Sequence, residues 1–148
     1  MQVTEFISQL DEARIVAAIA AAERLTSGEI RVYISHRAHA DALAFAQRRF
    51  RQLGLTKTRQ RNAVLLYLAP RTRQFAIVGD RGVHEKCGPA FWQAVSAQLS
   101  AALRQGDYTA ALIQTVQQVG ALLAAHFPPV SGDVNELPNA ILRDLSLH

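Results

Sequence analysis

The sequence predicts an α/β protein in which a small mixed sheet lies between helices. Residues 29–35 alternate between apolar and polar side chains, residues 63–69 are continuously apolar, and helical periodicity separates and follows these runs. With 148 residues, 49% of them apolar, the chain is long enough to bury the core of one domain. We predict a single domain over residues 1–129 and an irregular tail over residues 130–148 that packs on it.

A first helix is predicted over residues 8–25. Its apolar residues recur at helical spacing and are Ile15, Ala18, Ile19 and Ala22. Ser8 with Asp11 resembles a capping pair at the start, and Gly28 is the expected terminating residue.

The next segments predict a βαβ unit followed by a hairpin strand. Residues 29–35 form the first strand, and Asp41 caps a helix that ends at Gly54. Residues 63–69 read as a strand covered on both faces, and residues 74–79 return beside it. The helical link makes the first two strands parallel, whereas the short link makes the last two antiparallel.

Two long helices complete the predicted domain. The GDRG segment, residues 79–82, is interpreted as a turn, after which Pro89 opens a helix. Gly106 ends this helix and Asp107 caps the next one, which Pro128 terminates.

The composition indicates a soluble protein of a reducing compartment. The apolar run over residues 15–22 is too short to cross a bilayer, and no basic segment precedes a secretory cleavage site. Cys87 is the single cysteine, so no internal disulfide is expected. We therefore expect a cytoplasmic location.

Positive charge is concentrated between residues 42 and 79, where the sequence has no Asp or Glu. The cations there are Arg48, Arg49, Arg51, Lys57, Arg59, Arg61, Arg71 and Arg73. The favoured interpretation is a set of solvated helix ends and turns. The sharper alternative is an anionic partner, either phosphate or a lipid surface; nucleic acid is the weakest choice because no binding motif or stacking platform accompanies the charge.

One edge of the predicted sheet gathers polar residues. The first two strands begin there and the third ends there, which brings together Glu29, Arg61, Asn62, Asp80, Arg81 and Glu85. Carboxylates and an amide oxygen are ligands that Ca²⁺ or Mg²⁺ prefers, and the arginines suit an anion such as phosphate. The equally weighted alternative is structural: an Asp80 turn cap, a surface ion pair between Glu29 and Arg61, and glycines with positive φ.

Two other pairs have the spacing of metal ligands, His36 with His39 and His84 with Cys87. Neither has a second Cys/His pair to complete a site, so zinc is not expected.

The chain resembles the TPM domain family, named for thylakoid-lumen, photosystem-repair and nematode receptor-accessory members. The matching segments are TSGEIRVYI (26–34), RNAVLLYLAP (61–70), FAIVGDRGVHEKCGPAFW (75–92), GDYTAAL (106–112) and VNELPN (134–139). The GDRG form and the NELPN ending are similar to the stand-alone cytoplasmic branch of the family.

The resemblance implies a mixed sheet with helices on both sides, but no single activity. Some relatives are weak acid phosphatases, some bind divalent cations, and others act in the assembly or repair of membrane complexes. The resemblance also implies a LemA-type membrane protein as a partner. Anchored members carry an acidic DNG before the second strand and an acid after the glycine turn, whereas this chain has Arg61 at the first place and the KCG region, residues 86–88, at the second.

Two function classes follow. The preferred one is an interaction module for a membrane-associated assembly, with weak binding of Ca²⁺ or Mg²⁺ at Asp80, Glu85 and Glu29. The alternative is a metal-dependent phosphatase, which needs a carboxylate cluster, a cation and a nucleophile or activated water. It comes second because the sequence shows no serine in a nucleophile elbow.

Overall fold

The computed structural model describes residues 1–130 and 141–144. The helices and strands, in chain order, are α1 (Val3–Ser8), α2 (Glu12–Glu23), β1 (Glu29–Ile34), α3 (Ala42–Gln52), β2 (Ala63–Ala69), β3 (Gln74–Gly79), α4 (Arg81–Cys87), α5 (Pro89–Arg104), α6 (Tyr108–His126) and β4 (Ile141–Arg143). Short 3-10 turns follow α3 at Leu55–Lys57 and β2 at Pro70–Thr72.

The sheet has the strand order β3-β2-β1-β4. β1 is parallel to β2 and to β4, and β2 is antiparallel to β3. Glu29 is paired with Ala63, and Val64 with Gly79, so β1 and β2 begin at the edge where β3 ends. The predicted α/β class, the parallel pair and the hairpin are all confirmed.

Helices cover both faces of the sheet. On one face α3 is the one α-helix of the described residues, and its Ala42, Ala46 and Phe50 contact side chains of the strands that include Tyr33 and Tyr67. On the other face, α1, α2, α5 and α6 form the larger core together with the residues of β1 and β2 whose side chains point to that face. These are Ile30, Val32, Ile34, Val64, Leu66 and Leu68. The alternating faces of β1 therefore belong to two different cores.

The helix predicted over residues 8–25 corresponds to α2, which begins only at Glu12, and a separate short helix, α1, precedes it. Thr109 of α6 explains the break, because its hydroxyl accepts from the backbone N–H of Asp11 (2.9 Å) and donates to the Gln9 carbonyl (3.3 Å). Asp11 alone caps α2, and Ser8 instead bonds back to the Glu5 carbonyl. These polar contacts replace the helical bonds that a continuous helix would make.

Gly28 is not the helix terminus that the sequence predicts, because α2 ends at Glu23. A Cβ at Gly28 would lie 2.9 Å from Leu123 Cδ1 and 3.2 Å from the Asn62 carbonyl oxygen. The glycine is therefore needed for close packing at the entry to β1.

The GDRG segment is a helix start and not a turn. Asp80 is the N-cap of α4, which begins at Arg81. Neither Gly79 nor Gly82 has a positive φ. A Cβ would lie 2.0 Å from the Trp92 ring at Gly79 and 2.3 Å from the Gln60 carbonyl oxygen at Gly82. Both glycines thus permit close approach, which corrects the expectation that they supply positive φ.

The tail is not irregular throughout, because Ile141–Arg143 forms β4 and pairs with β1. The sequence gives little sign of this strand, since three residues are too few to show a period. The NELPN segment, which we expected to pack on the body through Asn135, Glu136 and Leu137, lies outside the described residues.

Candidate functional site

The predicted polar cluster lies where β1 and β2 begin and β3 ends. Asp80 directly follows β3, and its backbone N–H donates to the Ala63 carbonyl over 3.0 Å, which extends the ladder beyond Gly79. Its Oδ1 accepts from the backbone N–H of Arg81 (2.9 Å) at the start of α4. Both the backbone and the carboxylate of Asp80 are therefore fixed at the sheet edge.

Arg61 binds both carboxylate oxygens of Asp80. Its Nε lies 2.5 Å from Oδ2 and its Nη2 lies 2.7 Å from Oδ1, which is the two-point geometry that guanidinium makes with carboxylate. The hydrogen bond to Asp80 raises the pKa of the Arg61 guanidinium. Arg61 has a φ of 53°, a left-handed conformation that is uncommon for a residue with a side chain. The Arg61 loop is thus held against α4 by an ion pair.

Glu29 lies on the far side of β2 from Asp80. Because Ala63 of β2 pairs with Glu29 and bonds Asp80, the two backbones are two strand spacings, about 10 Å, apart. The Glu29 carboxylate is 3.2 Å from Nη2 of Arg31, and not paired with Arg61 as the structural alternative expected. Glu29 and Asp80 therefore have different arginine partners.

Glu23, Glu29 and Arg31 form a buried ionic cluster that the sequence does not reveal. Nη1 of Arg31 lies 2.8 Å from Glu23 Oε2, which also accepts from the backbone N–H of Ile30 (2.7 Å). The exposed fraction is 9% for the side chain of Glu23, 5% for that of Glu29 and 1% for that of Arg31. Burial raises the pKa of Glu23, and the hydrogen bonds and charge of its neighbours offset this only in part.

The remaining predicted site residues are spread around this edge. Glu85 and Arg81 are exposed on α4, whereas Asn62 is buried and its Nδ2 donates to Ser27 Oγ over 3.2 Å. Among residues 1–130 and 141–144, no three His, Cys, Asp or Glu side chains form a group that could hold a metal ion. The Ca²⁺ or Mg²⁺ site stays a prediction, and a cation at Asp80 would compete with Arg61.

A second polar cluster lies at the opposite edge, where the parallel strands end. His39 Nε2 is 2.9 Å from Ser35 Oγ and 2.7 Å from the Tyr67 hydroxyl. Asp144, directly after β4, accepts from the Tyr33 hydroxyl (2.5 Å) and from Ser35 Oγ (3.3 Å). The cluster thus links β1, β2 and β4.

The electrostatics of this cluster follow from its burial. Burial lowers the pKa of His39, and burial together with the Asp144 carboxylate raises the pKa of Tyr33. Burial alone would raise the pKa of Asp144, but the hydrogen bonds that it accepts and the nearby Arg49 leave it lowered. Ser35 is 0% exposed and His39 is 2% exposed, so this serine–histidine pair is closed to a substrate and serves as an internal network.

The sequence reveals only the histidine of this second cluster, through the HxxH spacing of His36 and His39. The decisive partner, Asp144, falls in the tail that we expected to be irregular. No local pattern could have placed Asp144 near Tyr33, which is 111 residues away in the sequence.

The cations between residues 42 and 79 divide into two groups. Arg49 pairs with Asp144 at 3.4 Å, and Arg61 pairs with Asp80. The remaining six make no ion pair within the described residues and are Arg48, Arg51, Lys57, Arg59, Arg71 and Arg73. Four of these are exposed on α3 and on the segment after it, namely Arg48, Arg51, Lys57 and Arg59, and we call them the α3 basic face.

Comparison with known proteins gives one family. A family model described as TPM domain matches residues 1–122. The NMR structure of the BA42 protein from the psychrophilic bacterium Bizionia argentinensis is similar at 34% identity and a TM-score of 0.84, over 89% of this chain and 91% of that one. No curated protein matches the chain.

Two more distant structures share the fold. The N-terminal domain of the cg2496 protein from Corynebacterium glutamicum is 21% identical with a TM-score of 0.58, and covers 92% of this chain and 79% of its own. An N-terminal domain from P. gingivalis is 18% identical with a TM-score of 0.58, over 75% and 72% of the two chains. Within the described residues, no helix has the length and apolar character to span a membrane.

Proposed function

Because the chain belongs to the TPM domain family, we propose that it is an interaction module that binds the anionic lipid surface of a membrane-associated assembly. The observation that carries this proposal is the α3 basic face. Within the described part of the chain, its four cations are exposed and lack carboxylate partners, and α3 is the one long helix on its side of the sheet.

Acidic residues offset little of this charge. Asp41 is the acid that directly precedes α3, and its carboxylate is engaged as the helix cap, accepting from the backbone N–H of Ala44 over 3.1 Å. A Lys or Arg near an anionic leaflet contributes about 1 kcal/mol of binding free energy, so four of them support reversible attachment. Leu43, which is 49% exposed on the first turn of α3, adds exposed apolar surface to the same helix.

A membrane protein of the LemA type is the partner that we propose for the chain at the membrane. The resemblance implies such a partner, and the partner would hold the chain close to the leaflet. The lipid contact would then need to contribute only orientation and part of the affinity, because tethering raises the effective concentration of the surface.

The test is flotation with vesicles that contain or lack an anionic lipid such as phosphatidylserine. We expect the chain to float with anionic vesicles only and to be released as salt is raised. The variant Arg48→Gln/Arg51→Gln/Arg59→Gln should lose roughly fivefold in affinity for each charge removed.

The matched control removes three exposed arginines from elsewhere on the molecule, as Arg14→Gln/Arg24→Gln/Arg81→Gln. It has the same net charge as the test variant, so any effect of total charge is shared. Equal loss of binding in both variants, or equal flotation with neutral vesicles, would show that α3 is not the contact surface.

The alternative of a metal-dependent phosphatase has less support from the geometry. Asp80 is the carboxylate best placed at the predicted edge, but Arg61 already binds both of its oxygens. Ser35, the serine with a histidine partner, is fully buried.

A further inference from the structure

A cleft of about 530 Å³ opens on the side of the sheet opposite to α3. It lies between the start of the chain, the end of α5 and the turn that joins β2 to β3. Its larger apolar side chains include Phe6, Leu68, Phe75, Leu103 and Tyr108. The volume is within the range of about 300–1,000 Å³ that is usual for small-molecule sites.

Packing holds the wall of this cleft in place. The rings of Phe6 and Tyr108 are 4.9 Å apart, and Phe6 and Leu68 are almost fully buried in the main core. Phe75, Leu103 and Tyr108 pack against the same core but remain partly exposed toward the opening. The cleft therefore offers a preformed apolar surface, which costs little ordering when a ligand binds.

Two arginines line the same cleft. Arg73 comes from the β2–β3 turn and Arg104 from the last turn of α5, and both are exposed. Neither makes an ion pair or a side-chain hydrogen bond to any residue of the described part of the chain. Among residues 1–130 and 141–144, no Asp or Glu lines the cleft. Asp107 lies between the cleft residues Gly106 and Tyr108 in the sequence, but its carboxylate caps α6 by accepting a hydrogen bond from the backbone N–H of Ala110.

We propose that this cleft binds a single-chain anionic amphiphile, with the alkyl chain on the Phe75–Leu103–Tyr108 wall and a phosphate or carboxylate head group between Arg73 and Arg104. An apolar wall beside unpaired guanidinium groups complements a ligand that has both an alkyl chain and a negative charge. The site shares no residue with the α3 basic face, so each proposal can fail while the other stands.

The test is calorimetric titration of the whole chain with alkyl phosphates of increasing chain length, each below its micelle concentration. Between octyl and decyl phosphate, affinity should rise about fourfold for each added methylene, which corresponds to about 0.8 kcal/mol. Inorganic phosphate and an uncharged alkyl maltoside of matched length should each bind far more weakly than the alkyl phosphate.

Variants then assign the site. Arg73→Ala and Arg104→Ala should each weaken decyl phosphate binding about tenfold, as expected for loss of a charge-assisted contact. Arg14→Ala, which changes an exposed arginine of α2 that is not among the residues lining the cleft, should leave affinity unchanged. Ser100→Trp should abolish binding by filling the cleft, which Ser100 lines.

Amide spectra provide the second measurement, because they distinguish a loss of binding from misfolding of a variant. Decyl phosphate should shift the resonances of Phe75, Leu103 and Tyr108 in the wild type. Shifts confined to α3, affinity independent of chain length, or equal losses in Arg14→Ala and Arg73→Ala would each overturn the proposal.

Discussion

At Asp80, a metal ion and an arginine would compete for the same two oxygens. The two hydrogen bonds from Arg61 leave no carboxylate oxygen of Asp80 without a cationic partner. Cation affinity at this position is therefore set by the cost of displacing a guanidinium. The predicted Ca²⁺ or Mg²⁺ site, with Glu85 and Glu29 as further ligands, requires Arg61 to leave Asp80 and Arg31 to leave Glu29.

We therefore predict that removal of Arg61 strengthens cation binding. A site with a dissociation constant of about 10⁻⁴ M would stabilise the fold by about 2.7 kcal/mol at a hundredfold excess of Ca²⁺. A Ca²⁺ concentration of about 10 mM gives on the order of that excess. At this concentration, the melting temperature of Arg61→Ala should rise more than that of the wild type. Arg61→Ala/Asp80→Asn is the control and should show none. Identical melting curves with and without Ca²⁺ in all three proteins would leave Asp80 as a helix cap.

The Glu23–Glu29–Arg31 cluster leads us to predict how the free energy of unfolding depends on pH. Burial raises the folded-state pKa of Glu23 above its usual 4.5, so the folded chain holds a proton that the unfolded chain releases. Stability from this group is thus fully present below pH 4.5 and is lost as the pH rises through the folded-state value.

Glu23→Gln should remove this pH dependence, because glutamine resembles the protonated acid and its oxygen can still accept from Ile30 and Arg31. In urea unfolding, wild type and variant should be similar below pH 4.5, and the variant should be the more stable of the two at pH 7. Asp144, whose lowered pKa acts in the opposite direction, contributes equally to both proteins and cancels. A stability difference that does not change with pH would refute the assignment.

At the scale of single elements, β4 shows how a short segment can hold distant parts together. It adds a parallel strand to β1, and the residue that follows it, Asp144, accepts from the side chains of Tyr33 and Ser35 and from the backbone of His36. Ile141 is buried in the main core. The strand is therefore a structural part of the sheet.

Deletion of residues 131–148 should consequently lower the melting temperature and expose Tyr33. We also expect the pKa of Tyr33 to fall toward its usual value of 10, because the neighbouring carboxylate and part of the burial that raise it are lost. Ultraviolet titration of the tyrosines measures this directly. Asp144→Asn is the milder variant, which keeps β4 but removes the charge. An unchanged melt for the deletion would mean that β4 contributes nothing to stability.

The elements that the sequence predicts well are those with local signals. Asp41 and Asp107 cap their helices through their own side chains. The apolar run at residues 63–69 forms a strand that is buried throughout, as its composition alone predicts. The elements that it misses depend on distant contacts. Thr109 holds the link between α1 and α2, the Gln60–Arg61 loop packs on Gly82 of α4, and β1 provides the partner for β4.

The same distinction explains the candidate site. The strand topology places Asp80, Glu29 and Asn62 at one edge, and this part of the prediction is correct. Which arginine binds which carboxylate depends on side-chain geometry, and the sequence cannot distinguish Arg61 from Arg31 as the partner of Glu29. The Ser35–His39–Asp144 network lies beyond prediction because its acid comes from the far end of the chain.

On the scale of the whole molecule, the sheet separates two chemically different surfaces. One side presents the α3 basic face, and the other presents a helical layer that contains the apolar cleft lined by Arg73 and Arg104. A lipid surface and a single amphiphile could therefore be bound at the same time. Because no residue is shared, we expect no competition between vesicles and decyl phosphate.

The pairing of β1 with β4 also bears on how the protein is made. As the chain leaves the ribosome, β1 emerges long before β4, the strand that pairs with its outer edge at Val32, Tyr33 and Ile34. During that interval the edge exposes unpaired N–H and C=O groups, which can template pairing with other chains. Contacts between distant segments also form slowly. The nascent protein is therefore prone to aggregate until β4 has emerged and paired with β1, and a chaperone that shields β1 would act in this interval.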